Sequence, residues 1–220
     1  MTMPPHDGLP GVDLRAVLFT IHDGSLLVAL TEGEVGARLP RGFPSLAETL
    51  DSSARQIVRT ATGVQEQYLE QLYTLSVREP APWTIVVSYM ALVSTTSGAT
   101  LDGKAGLWHR APNLPRLSET DRMVVDYALL RLRAKLGYTN VAFHLLSPTF
   151  TLTELQSAYE TILAGPLDKR NFRRRVIASG ILEQTGEKRR EGSHRPATLY
   201  RFRPEADGET YLTPPWAEGA

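Results

Sequence analysis

The sequence contains no cysteine, which excludes disulfides and thiolate metal sites outright. It also lacks a long apolar run. The longest uncharged stretch, residues 80–101, is interrupted by Pro, Ser and Thr and ends in TTSGATL, whereas a membrane span needs about 20 mainly apolar residues. The opening segment, MTMPPHDGLPGVDL, has neither a basic n-region nor an apolar h-region, so no signal peptide is predicted. These absences point to a cytoplasmic protein with no membrane partner. A fourth absence is local: from Ser52 to Gln65 there is no Asp or Glu, in a chain that has 24 of them.

At 220 residues, with 42% hydrophobic and 22% charged residues, the chain has the make-up of an ordinary globular protein of one or two domains. Its net charge of zero conceals an uneven distribution. Residues 1–167 carry a net −3, residues 168–203 a net +7, and residues 204–220 a net −4. A concentrated positive segment in an otherwise acidic chain points to a polyanionic partner for the C-terminal part.

The N-terminal part reads as strands. RAVLFTI and LLVALTE flank HDGS, an Asp-Gly hairpin signal, and YLEQLYTLSV and TIVVSYMALVS follow later. Between them Leu50, Ala54, Ile57, Val58 and Ala61 recur at helical spacing. A long helix is predicted over about Glu119 to Leu136, with Ser118 as cap, Asp121 at capping-box spacing and Gly137 as terminator. Trp83, Tyr89 and Trp108 are expected in the core.

Beyond this the character changes. NVAFHLLS is a short helix, and TFTLTELQSAYETIL a second, capped by Thr151 or Thr153, with Leu155, Ala158, Tyr159 and Ile162 as its apolar stripe. Asp168 caps a third, KRNFRRRVIASG, closed by Gly180, with Phe172, Val176 and Ile177 facing inward. Two strands, Ile181–Thr185 and Thr198–Arg203, then surround a basic loop. Three short helices and a hairpin are the elements of a winged helix, whose recognition helix enters the major groove. A single basic helix is often only a solvated face. A capped basic helix, a helix before it and a basic hairpin after it point together to double-stranded DNA. The candidate DNA contacts are Thr151, Thr153, Lys169, Arg170, Asn171, Arg173 and Arg174 on the helices, and Lys188, Arg189, Arg190, His194 and Arg195 in the wing.

The carboxylate-free stretch lies inside a recognisable frame. Gly42, Glu48, Gly63 and Val64 stand at the spacings of the Nudix box, G-x5-E-x7-R-E-U-x-E-E-x-G-U. In Nudix hydrolases the glutamates of the box hold divalent metal against a diphosphate, as a hard cation with oxygen ligands requires. Here Gln56 replaces the arginine, Ile57 the first helix glutamate, and Thr60 and Ala61 the metal-binding pair. No shift of register supplies a carboxylate, so no metal, cofactor or catalytic residue is expected.

With LPRGF, YLEQLYT, LRLRAKLGYTNVAFHLL, FTLTELQSAYETIL, LDKRNFRRRV and RPATLYRF, the chain resembles the Nudix-related transcriptional regulators of NAD metabolism, the NrtR family. The resemblance implies an α+β protein. A degenerate Nudix-like α/β/α sandwich with a linker helix spans 12–137, and a winged helix spans 138–204. A flexible N-terminus (1–11) and an acidic tail (205–220) flank them. It further implies a bacterial repressor that binds a pseudo-palindromic operator as a homodimer and releases it on binding ADP-ribose or a related NAD-derived nucleotide. Arg41, Gly42, Phe43 and Glu48 are the expected effector contacts. Three departures bear on the effector: Arg41 where the family usually has the second glycine of LPGGF, REPAPW where an Asp-Pro motif is common, and LSETDRM in place of an acid–histidine pattern. Two alternatives stay open. One is a Nudix hydrolase with an unusual metal site of Glu48, Glu66 and Glu70, and the other a regulator of this type that answers to a sugar.

Overall fold

The computed structural model describes residues 10–33, 36–45, 47–63, 66, 68–77, 83–94, 107–137, 139–190 and 196–203. These divide into two compact units. The first comprises the described residues within 1–20, 27–93 and 97–129, the second those within 21–26, 94–96 and 130–220.

The first unit is built on strands β1 (Gly11–His22), β2 (Ser25–Gly33), β3 (Gly36–Arg38), β4 (Arg41–Gly42), β5 (Tyr68–Val77), β6 (Thr84–Leu92) and β7 (Leu107–Arg110), except that the β1–β2 tip, residues 21–26, is grouped with the second. They form one mixed sheet in the order β3-β2-β1-β6-β5, with β4 on β1 and β7 on β2. The Asp-Gly turn forms as expected: Asp23 and Gly24 both take positive φ, 46° and 65°, as the two central residues of a type I′ hairpin do. β1 and β6 pair in parallel, Gly11 with Thr84 through Phe19 with Leu92. Every residue of β1 from Asp13 to Thr20 is buried, so both faces of the sheet are covered at its centre.

On one face, Leu14, Ala16 and Leu18 pack with Tyr89, Ala91 and Val93 against Ala54 and Val58 of helix α1 (Leu50–Thr62). Thr49 caps α1 by accepting from the Ser52 N–H at 3.2 Å. Gly63 ends it at φ 70°, a left-handed position where any side chain is strained. On the opposite face β1 presents Asp13, Arg15, Val17 and Phe19, since strand side chains alternate. There Arg15 meets Asp121 of helix α2 (Glu119–Lys135). Ser118 caps this helix through the Asp121 N–H at 3.1 Å. The Asp121 carboxylate, expected to complete a capping box, is used elsewhere. The chain passes from the first unit to the second inside α2, after Leu129.

The second unit continues with a 3₁₀ turn at Val141–Leu145, α3 (Leu152–Leu163), α4 (Lys169–Ala178), and the antiparallel pair β8 (Leu182–Arg189) and β9 (Ala197–Phe202). Its helices are read off their caps. Thr151 and Glu154 form a reciprocal capping box on α3 at 3.1 and 2.7 Å. Asp168 caps α4 by accepting from the Asn171 N–H at 2.7 Å. Phe172 and Val176 anchor α4, Phe172 packing edge-on against Tyr159 with centroids 5.2 Å apart. Ile177 does not join them and is 55% exposed. It follows Val176 directly on a helix whose inward stripe is one residue wide, and a single step rotates it about 100° away. Phe143 packs at a tilt against Phe150 and Phe202, and a bridge between Phe150 and Tyr200 adds a third short edge to the wing sheet.

Candidate nucleic-acid interface and effector pocket

The second unit concentrates its cations on α4 and the wing. Lys169, Arg170 and Arg174 are exposed along α4, and Lys188 and Arg190 are exposed at the end of β8. Other expected contacts are already engaged within the unit. Arg173 donates to the Thr153 hydroxyl at 2.9 Å, fixing α4 against the start of α3. Arg174 donates to the Asn171 side-chain oxygen at 2.9 Å and thereby orients it. Arg189 pairs with Glu154, the same carboxylate that completes the α3 cap, so the wing is tied to α3 by its base. The Thr151 hydroxyl is buried as a cap. Across the wing, Glu183 faces Arg201 with two contacts of 3.1 Å. The bond to Arg201 holds the Glu183 carboxyl below the usual carboxylate range and lifts Arg201 in return. The unit thus uses part of its charge as scaffold and leaves a smaller set of cations exposed. His194 and Arg195 lie outside the described residues.

The first unit holds a cavity of about 500 Å³ lined by Arg38, Arg41, Phe43, Gln56, Ile57 and Thr60 among others. That volume falls within the range of about 300–1,000 Å³ typical of small-molecule sites. No lining residue is acidic and two are arginines. Gln56, Ile57, Thr60 and Ala61, four positions where the Nudix box carries arginine and glutamates, all face this space. An amide, an alkyl, a hydroxyl and a methyl do not fit the requirement of a hard divalent cation for several carboxylate oxygens.

The nearest acids in sequence are committed elsewhere. Asp51 accepts from the buried Tyr89 hydroxyl at 2.9 Å. Burial and that bond raise the Tyr89 hydroxyl well above its ordinary value. Glu66, almost fully buried, is paired with Arg55. Glu70 accepts from the Tyr68 hydroxyl at 2.6 Å. Among the described residues no three His, Asp or Glu side chains converge as a metal site would require, so Glu48, Glu66 and Glu70 do not form one.

Beside the cavity lies a chain of charges. β4 sets Arg41 directly opposite Arg15 of β1, an arrangement that would be repulsive alone. Asp13 relieves it, with Oδ2 at 2.9 Å from Arg15 and Oδ1 at 3.8 Å from Arg41. Arg15 extends to Asp121 Oδ1 at 2.8 Å, and Asp121 Oδ2 accepts from the Leu39 N–H at 3.4 Å. Two cations and two anions therefore form a neutral group that is buried except at Arg41.

The comparisons with known proteins agree with this geometry. Residues 142–202 match the NrtR DNA-binding winged helix domain. The ADPR-responsive transcriptional repressor NtrR of Acinetobacter baylyi is 32% identical over 206 residues, which cover 88% of this chain and 82% of that protein. The chain belongs to the NrtR family. The crystal structure of Shewanella oneidensis NrtR with a 27mer DNA matches it at 32% identity and a TM-score of 0.80, covering 90% of this chain and 96% of that one. A MutT/nudix family protein of Enterococcus faecalis, 21% identical with a TM-score of 0.71, covers 92% of this chain and 90% of its own, and shows the fold alone.

In this NrtR-family chain the four expected effector residues separate. Arg41 and Phe43 line the cavity. Gly42 backs it within β4, where a Cβ would come within 3.2 Å of Ile57 Cγ1, so the position suits glycine. Glu48 is exposed and is not among the lining residues. Arg38, Thr31, Ser45 and Ser53 line the cavity without having been singled out. Arg38 alone carried a signal, as the cation immediately before LPRGF. Of the three aromatic residues, Tyr89 is in the core and Trp108 packs against it, but Trp83 is 47% exposed and does not belong there.

Arg15 is the best isolated of these electrostatic roles. Arg15→Ala leaves the buried Asp121 without a cation and Asp13 with only the more distant Arg41, and is expected to lower stability by about 3–5 kcal/mol, read from the urea midpoint. An unchanged midpoint would contradict the ion chain.

Proposed function

We propose that the protein is a transcriptional repressor that binds operator DNA through α4 and the wing. On this reading it loses affinity for that DNA when ADP-ribose or a closely related nucleotide occupies the cavity of the first unit, and it does not hydrolyse that ligand. The observation that carries the reading is the pairing of a basic winged helix with a cavity that holds two arginines, Arg38 and Arg41, and none of the box-helix carboxylates a hydrolase needs. Its relative is named as a repressor responsive to ADPR, and a family member has been solved on DNA. Arg38 and Arg41 suit a diphosphate, which guanidinium groups bind as a fork without a metal intermediary. The half-exposed Phe43 ring offers an apolar surface for a base. In this scheme residues 12–137 sense and residues 138–204 read DNA, in the cytoplasm, and the regulated genes serve NAD metabolism.

The decisive experiment titrates the intact protein against DNA from upstream of its own coding region, with and without ADP-ribose. The nucleotide is expected to weaken a salt-sensitive, sequence-dependent complex. Arg170→Ala and Arg174→Ala, at exposed positions of α4, are each expected to weaken the ligand-free complex by about 1–3 kcal/mol. A complex indifferent to ADP-ribose would refute the effector. Unchanged affinity in both variants would refute the placement of α4.

We also infer a homodimer paired through α2. Met123, Tyr127, Leu130 and Ala134 are exposed at 4-3-4 spacing, and Leu130 is 64% exposed. That is the recurrence of a helix-pairing seam, which makes a second α2 the matching surface. Leu130→Arg is expected to shift the mass in sedimentation from dimer to monomer. A dimer that persists would place the interface elsewhere.

A further inference from the structure

We propose that Arg41 couples occupancy of the cavity to α2, because a bound phosphate and the Asp13 carboxylate compete for its one guanidinium. The inference rests on the effector reading above and specifies how that site is linked to DNA binding. Arg41 lines the cavity, and its side chain is 39% exposed while that of Asp13 is 6% exposed. It is therefore the member of the ion chain that a ligand in the cavity can reach. Its Nε sits 3.8 Å from Asp13, longer than a hydrogen bond, while Arg15 holds Asp13 and Asp121 at 2.9 and 2.8 Å. Arg41 is thus also the member most readily withdrawn.

Withdrawal has a defined electrostatic result. With Arg41 on Asp13 the group is neutral. With Arg41 on a phosphate, two buried carboxylates share Arg15 alone, and the group carries an uncompensated negative charge. Asp13 then draws harder on Arg15 at the expense of Asp121. Asp121 is the third residue of α2 and also accepts from the Leu39 N–H in the cavity loop. The start of α2 and the loop thus respond to one event. A ligand that alters such an equilibrium acts through its differential affinity for the two arrangements. LPRGF with Arg41 makes this possible, because a glycine in that place carries no charge to compete for.

The test is a charge series at one exposed position, checked for folding by thermal melting: Arg41→Lys, Arg41→Ala and Arg41→Glu. Operator affinity is measured without ligand and then with saturating ADP-ribose. Ligand-free affinity is expected to fall in the order Lys, Ala, Glu, by about tenfold for Ala, within the usual range of allosteric coupling. Saturating ADP-ribose should then change the affinity of the Ala variant by less than twofold. If the folded Ala and Glu variants bind operator as the native protein does, the coupling role is overturned. If native protein fails to respond to ADP-ribose, the effector reading falls, while the ligand-free series still decides whether Arg41 governs DNA binding.

Discussion

A single guanidinium, that of Arg15, holds the central strand, the cavity loop and the start of α2 in one arrangement. It bonds Asp13 two residues away and Asp121 more than a hundred residues away, and Asp121 in turn fixes the Leu39 N–H. A cation in a strand otherwise packed with leucine, alanine and phenylalanine is costly unless its partners are equally buried. Buried ion pairs contribute little net stability against an apolar substitute, but a mispaired one is severely unfavourable. The group therefore acts as a register pin. The observed placement of α2 over the sheet satisfies Arg15, and the observed path of the loop satisfies Asp121.

That constraint explains why the Nudix frame persists without its metal ligands. Gly42 passes beneath Ile57, Gly63 ends α1, and Ala54 and Val58 seat α1 on the sheet, so the glycine and helix positions of the box serve shape. The carboxylate positions have no such duty and are occupied by Gln56, Ile57, Thr60 and Ala61. The cavity that results is polar through arginine. An anionic ligand meets charge directly there, and charge is what connects the cavity to the buried chain beside it.

The elements that announce themselves locally were legible in the sequence. The Asp-Gly turn, the stripe of α1, the Thr151–Glu154 box and the Asp168 cap all act within a few residues, and the structure places α1, α3 and α4 close to where these signals put them. Short strands β3, β4 and β7 were not legible, because their pairing is set by neighbours in the sheet and not by propensity. β8 runs to Arg189, beyond the expected Thr185, because Lys188 and Arg189 pair with Thr198 and Ala197 despite being basic. In the cavity, Arg41 and Phe43 were legible through LPRGF. The link from Arg41 to Asp121 was not, since two ordinary-looking charges far apart in the chain meet only after folding.

The account stands on the claim that the box cavity binds an anionic nucleotide through arginine and leaves it intact. Calorimetric titration of ADP-ribose in EDTA, and again in excess magnesium with AMP followed in parallel, tests that claim most directly. The account predicts the same dissociation constant in both buffers and no AMP. Binding that requires magnesium, with AMP released in proportion to enzyme, would contradict it.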